Sequence, residues 1–152
     1  MDDIDRKIIR TLQVDGRITN QDLAARVGLS PSPCLRRLRR LERDGVIRGY
    51  AAVVDQRRYG LPLDIFVQVK LERHTEATVR TFEERVLAVE EILACYLMTG
   101  SSDYLLHVAA ADLESYERFM RTELQNIPGI AAIETSFAIK QVKRGGAFPV
   151  VP

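Results

Sequence analysis

Five arginines fall within eight residues of this 152-residue chain: Arg36, Arg37, Arg39, Arg40 and Arg43. A guanidinium is permanently charged and carries a planar fork of donors. It therefore pairs with phosphate oxygens or, in bidentate fashion, with the edge of a guanine. Wound as a helix at about 100° per residue, the stretch groups Leu35, Leu38, Leu41 and Glu42 on one side, together with Cys34. Arg36, Arg40 and Arg43 turn the opposite way, and Arg37 and Arg39 flank them. Ser30, Ser32 and Pro33 lie at the entry, where hydroxyls and free backbone N–H groups bind phosphate. Taken alone, such a face is equally the solvated side of an ordinary helical hairpin, so its neighbours decide the reading.

Those neighbours supply a scaffold. Ile4, Ile8, Ile9 and Leu12 follow helical spacing behind Asp2, Asp3 and Asp5, which sit at the positive end of the helix dipole. Asp15-Gly16 ends that helix. A second opens at Thr19, with Asp22 three residues on, and turns Leu23, Ala24 and Val27 inward before Gly28 stops it. The Ser-Pro-Ser-Pro turn leads into the arginine helix over residues 32–43, and Asp44-Gly45 closes it. Residues 46–54 are strand-like around Gly49, the layout of a wing or a connecting strand. Two short helices, a glycine turn and a third, basic helix make a helix-turn-helix, whose last helix fits the major groove of duplex DNA. Cys34 reads as a small core residue.

The remainder reads β-α-β-β-α-β. Ile65, Val67, Val69 and Leu71 alternate with Phe66, Gln68, Lys70 and Glu72. Thr75 can cap a helix carrying Val79, Phe82, Val86 and Val89. Residues 92–98 and 104–110 form a hairpin around Thr99-Gly100-Ser101-Ser102-Asp103. Asp112 caps a helix with Leu113, Tyr116, Phe119, Met120, Leu124 and Ile127 inward. Ile133, Thr135, Phe137 and Ile139 alternate along a fourth strand. The predicted fold is α+β: a winged helix-turn-helix over residues 1–62, a ferredoxin-like βαββαβ sandwich over residues 63–144, and a loose tail over residues 145–152. The helices cover one sheet face. The other face is apolar enough to call for a partner, most simply a second copy.

Charge follows the same division. Residues 1–62 hold 13 Lys and Arg against 8 Asp and Glu, and the rest hold 9 against 13, although the whole chain is only +1. The basic half suits a polyanion. Cys34 and Cys95 lie 61 positions apart, and His74 and His107 do not cluster with them, so no metal site or cofactor is expected. The acidic start, Met1-Asp2-Asp3, has no apolar run behind it, and the longest apolar run spans only residues 92–98, seven residues. A reducing, cytoplasmic setting with no membrane contact is the expectation.

Four motifs together carry a resemblance over about residues 2–144. They are Ile4-Asp5-Arg6-Lys7-Ile8-Ile9; Val27-Gly28-Leu29-Ser30-Pro31-Ser32-Pro33-Cys34-Leu35-Arg36-Arg37-Leu38; Arg40-Leu41-Glu42-Arg43-Asp44-Gly45-Val46-Ile47; and Thr99-Gly100-Ser101-Ser102-Asp103-Tyr104. The chain resembles the leucine-responsive/asparagine-type (Lrp/AsnC, feast/famine) transcriptional regulators. That family more often has leucine where Ile4 stands.

The resemblance implies a dimeric or octameric, nucleoid-associated regulator that binds double-stranded DNA and senses an amino acid, leucine or another apolar one. It maps the recognition helix onto residues 32–43, with Ser30, Ser32, Pro33, Arg36, Arg37, Arg39, Arg40 and Arg43 toward DNA. It maps an inter-subunit effector site onto the Gly100–Asp103 turn with Met98, Thr99 and Tyr104. There Gly100 would let a backbone approach a small ligand. Ser101 and Ser102 would meet its carboxylate, Asp103 would accept from its ammonium, and Met98 with the strand around Ser136 and Phe137 would shape a side-chain pocket. Gly-Ser-Ser-Asp is also simply a good hairpin turn.

Two rival readings come from other classes. One is a tetrapyrrole (sirohaem-type) decarboxylase of the same architecture, which would lean on histidines and need no basic helix. The other is a stand-alone amino-acid sensor. The arginine helix argues against both, and no Ser-His-Asp or Cys-His spacing supports hydrolysis.

Overall fold

The computed structural model describes residues 1–150; Val151 and Pro152, part of the expected tail, lie outside the described residues. The described chain divides into two compact units, residues 1–53 with 142–150, and residues 54–141.

The first unit is three helices, α1 (Asp3–Val14), α2 (Asn20–Val27) and α3 (Pro31–Arg43). Asp2 caps α1 in a reciprocal box with Asp5: each side chain accepts from the other's backbone N–H. Thr19 caps α2, which ends on Gly28 at φ 75°, a left-handed position that favours glycine. Ser30 occupies the N-cap of α3 without a side-chain bond, and Pro31 fits the first turn, where no N–H is needed. Ile8, Leu23, Ala24, Val27, Cys34 and Leu41 form the core, so Cys34 is structural.

Residues 46–54, expected as a wing or connecting strand, form no strand. An extended segment becomes a strand only by pairing, and the described sheet is made of β-strands from residues 63–137 alone. The expected loose tail also differs. Phe148 is tied to α1, where Arg10 donates to its carbonyl and its N–H donates to Gln13 Oε1 at 2.9 Å.

The second unit opens with a short helix the sequence pattern does not announce, α4 (Gln56–Tyr59), capped by Asp55 and ended by Gly60. Then follow β1 (Leu63–Leu71), α5 (Glu76–Leu87), β2 (Ile92–Leu97), β3 (Tyr104–Ala110), α6 (Leu113–Thr122), a 3-10 turn (Leu124–Asn126) and β4 (Ile130–Phe137). Thr75 and Asp112 cap α5 and α6 as expected. The sheet is antiparallel throughout, in the order β2-β3-β1-β4 of a ferredoxin-like sandwich.

Register places Ile65, Val67 and Val69 beside Val108, Leu106 and Tyr104, and all six are buried with Phe82 of α5 and Tyr116 and Phe119 of α6. The alternate residues face away from the helices. Phe66 and Tyr96 are exposed there, Leu105 is half-buried, and the Phe66 ring stacks on His107 at 4.9 Å. The His107 ring also bonds the Asp64 carboxylate. Among the described residues no helix is long and apolar enough to cross a membrane.

Candidate nucleic-acid interface and effector turn

The amphipathic pattern of α3 buries Cys34 and Leu41 and leaves its arginines outside. Arg36, Arg39, Arg40 and Arg43 are exposed, as are Ser30 and Ser32 at the helix entry, and Pro33 is half-buried. Arg36, Arg37, Arg40 and Arg43 line a shallow cleft of about 420 Å3. Arg43 Nε lies 3.5 Å from Asp44, an exposed pair that screening renders weak.

Two of the five arginines behave otherwise than the helical wheel implies. Arg37, expected on the flank, and Arg40, expected to point outward, both turn back to α1. Arg37 Nη1 donates to Asp2 Oδ2 at 2.7 Å and to Asp5 Oδ1 at 2.9 Å, and Arg40 Nη2 donates to Asp5 Oδ2 at 2.6 Å. Asp5 is 1% exposed, the one buried charged residue among those described. A carboxylate removed from water needs such partners. Its backbone bond to Asp5 N–H and the Arg37 guanidinium hold the Asp2 carboxyl down to about 2, and the same pairing raises Arg37. One signal for Asp5 was present in the sequence: Asp5, Ile8, Ile9 and Leu12 have the spacing of an inward stripe, and an aspartate in that stripe requires a cation.

The second cluster is the β2–β3 turn. Met98 N–H donates to the Asp103 carbonyl at 2.8 Å, closing a loop in which Gly100 takes φ 124°. Met98, Thr99, Gly100 and Ser101 are exposed; Ser102 is half-buried, and its hydroxyl donates to Gln68 Oε1 at 3.1 Å. The turn is sewn to the end of β1. Asp103 N–H donates to the Val69 carbonyl at 2.9 Å, while Leu71 N–H donates to Asp103 Oδ2 at 2.7 Å. His74 Nε2 lies 2.7 Å from Asp103 Oδ1. The Leu71 bond, then the His74 bond, hold the Asp103 carboxyl below the usual carboxylate range.

Three expected effector residues stand elsewhere than the turn's open side. Tyr104 points into the core, and its hydroxyl donates to Glu83 at 2.8 Å; burial, then that bond, push its phenol well up. Ser136 pairs with Phe66, three β1 residues from the Val69–Tyr104 pair beside the turn, a distance of roughly 10 Å at strand rise. Phe137, its neighbour, faces the helices and meets the Tyr116 ring edge-on at 5.3 Å. Within one chain, Met98, Thr99, Gly100, Ser101, Ser102 and Asp103 come together; Tyr104, Ser136 and Phe137 do not join them. His74 joins Asp103 instead, and nothing in its local sequence marks it for that place.

Comparison with known proteins yields one pattern over the whole chain. Residues 1–48 match a family model described as winged helix-turn-helix DNA-binding, and residues 64–148 match the Lrp/AsnC ligand binding domain. The chain is 43% identical over 150 residues to the Bkd operon transcriptional regulator of Pseudomonas aeruginosa, covering 99% of this chain and 98% of that protein. It is 40% identical over 144 residues to the leucine-responsive regulatory protein of Escherichia coli, covering 95% and 88%. A solved transcriptional regulator of Neisseria meningitidis, in complex with L-methionine, superposes with a TM-score of 0.93 at 37% identity, covering 98% of this chain and 96% of that one.

Proposed function

Because the chain belongs to the Lrp/AsnC family of transcriptional regulators, with a helix-turn-helix that binds DNA and a domain that binds an amino acid, we propose where each of those acts. The outward face of α3, with Ser30, Ser32 and Pro33 at its entry and Arg36, Arg39 and Arg43 along it, enters the major groove. The observation that carries this is the exposure of those three arginines on a helix whose reverse side is buried.

A second copy covers the open sheet face around Phe66, Leu105 and Tyr96, because an apolar sheet face left to water is a standing cost. Dimerisation then presents two α3 helices to successive grooves of an inverted repeat, about 34–36 Å apart or a multiple of that. Four such dimers form the octamer. This reading places the protein in the cytoplasm, on the nucleoid.

The effector is an apolar amino acid, such as leucine or methionine, seated at Met98–Asp103 with the second subunit completing the pocket. The methionine held by the Neisseria neighbour supports this chemistry. In the free chain Asp103 braces the turn against β1, so the backbone N–H groups of Gly100, Ser101 and Ser102 are the contacts left to a carboxylate. A ligand acts on DNA binding only through its different affinity for two states.

Two experiments test these assignments. In-vitro selection with the full chain should return inverted repeats, and sites without two-fold symmetry would contradict the paired helices. A thermal-shift screen of the twenty amino acids should show at least one apolar amino acid raising Tm, with Gly100→Arg abolishing the shift while leaving DNA binding intact. An undiminished shift in that variant would place the pocket elsewhere.

A further inference from the structure

The five arginines of α3 differ in what they already hold. Arg37 and Arg40 are tied to carboxylates at the start of α1, Arg40 while its side chain is still 44% exposed, whereas the exposed Arg36 and Arg39 do not reach those carboxylates and Arg43 has only its exposed neighbour Asp44. Both Asp5 oxygens are occupied, Oδ1 by Arg37 and Oδ2 by Arg40 and by Asp2 N–H at 3.1 Å. For Arg37 or Arg40 to swing fully to a phosphate, it would have to leave one oxygen of a carboxylate that is 1% exposed without its guanidinium. Unpairing a buried carboxylate oxygen costs more than a contact at a wet protein–DNA surface gains.

We propose that Asp5, with Asp2, is a positioning residue for DNA recognition: it withholds Arg37 and Arg40 from the DNA backbone and leaves the phosphate contacts of α3 to Arg36, Arg39 and Arg43. The two aspartates also fix α3 relative to α1 through groups that belong to the α1 cap itself, so capping of one helix and aim of the other are a single device. The consequence is selectivity. A helix with five free guanidiniums grips any duplex, since phosphate contacts carry no sequence information. Neutralising two of them lowers that background grip.

The inference rests on the reading of α3 as the DNA-contacting helix, and its test separates the two. The full chain is titrated against a fluorescent mixed-sequence duplex over a series of KCl concentrations, and the slope of log K against log salt is read for each variant. Each phosphate contact contributes about 0.9 to the magnitude of that slope. Arg36→Gln, Arg39→Gln and Arg43→Gln should each lower it by about that amount per protomer. Arg37→Gln and Arg40→Gln should leave it unchanged.

Asp5→Asn and the exposed-site variant Asp2→Asn should steepen the slope and tighten binding to this arbitrary duplex several-fold, as freed guanidiniums find phosphates. A role confined to holding the fold together would not steepen a salt slope. Should Asp5→Asn fail to fold, Asp2→Asn and the two inner-arginine variants decide the matter. Slope losses for Arg37→Gln or Arg40→Gln equal to those of the outer three, or an unchanged slope in Asp2→Asn, would overturn the proposal. If the outer three variants also leave the slope unchanged, the DNA reading of α3 fails instead.

Discussion

The helix-turn-helix unit and the sandwich hold their working surfaces by different means. The three helices bury a cluster of six apolar side chains and, with them, the Asp5 carboxylate. The sandwich cluster buries fourteen, and Asp5 remains the one buried charge among the described residues. A small core leaves few apolar contacts to fix one helix against another, and the first unit adds a directional set of ion pairs between α1 and α3. The sandwich has core enough on one sheet face and leaves Phe66 and Tyr96 exposed on the other, among polar neighbours such as Gln68 and His107. The first unit thus fixes its helices with groups of its own chain, while the second keeps exposed the sheet face on which the proposed second copy would sit.

Substitutions should separate the two units. The largest effect is expected in the sandwich, where Leu106 is fully buried: Leu106→Ala should lower stability by about 3 kcal/mol in urea unfolding. A loss under about 1 kcal/mol would mean that this core relaxes in a way close packing does not allow. Asp5→Ala in the helical unit should follow, at about 2 kcal/mol, since it removes a cap partner, takes Arg40's carboxylate away and leaves Arg37 with Asp2 alone. Measured calorimetrically, no change would show the polar clamp to be dispensable.

Acid should reach both units through carboxyls held low. Asp2 and Asp103 contribute stability that is complete above the ordinary value of 3.8 and is lost as pH falls through their lowered values, about 2 for Asp2. The Tm should therefore fall below about pH 4, and Asp103→Asn should flatten part of that fall. An unaltered acid profile in the variant would deny Asp103 its bracing role. Smallest of all, Arg36→Ala should leave stability within about 0.5 kcal/mol, because the side chain is exposed, while weakening DNA binding.

Much of this was legible from residue types at short range. Thr19, Thr75 and Asp112 marked three helix starts because a cap acts on a backbone group three residues away. The alternation from Ile65 to Leu71 marked β1 and its buried face. Pairing across long separations was not legible. Arg37 and Arg40 meet residues 32 and 35 positions away, and His74 meets Asp103 across 29. A helical wheel reports direction, not where a long, flexible side chain ends.

Residues 46–54 had strand composition but no partner in the described sheet, and composition alone cannot supply one. Ser136 and Phe137 are adjacent on β4 and therefore face opposite sides of the sheet, which strand geometry already implies. The helix α4 is four residues long, too short for any periodicity to reveal.

The outer arginines of α3, proposed as the DNA-reading surface, can be removed together. The decisive quantity is the affinity of the Arg36→Ala/Arg39→Ala/Arg43→Ala triple variant for a selected operator, by fluorescence anisotropy beside its unfolding midpoint and oligomeric state. The account predicts a loss of about 100-fold or more at physiological salt, with folding and assembly as in the parent chain. A triple variant that binds the operator as tightly as the parent would contradict it.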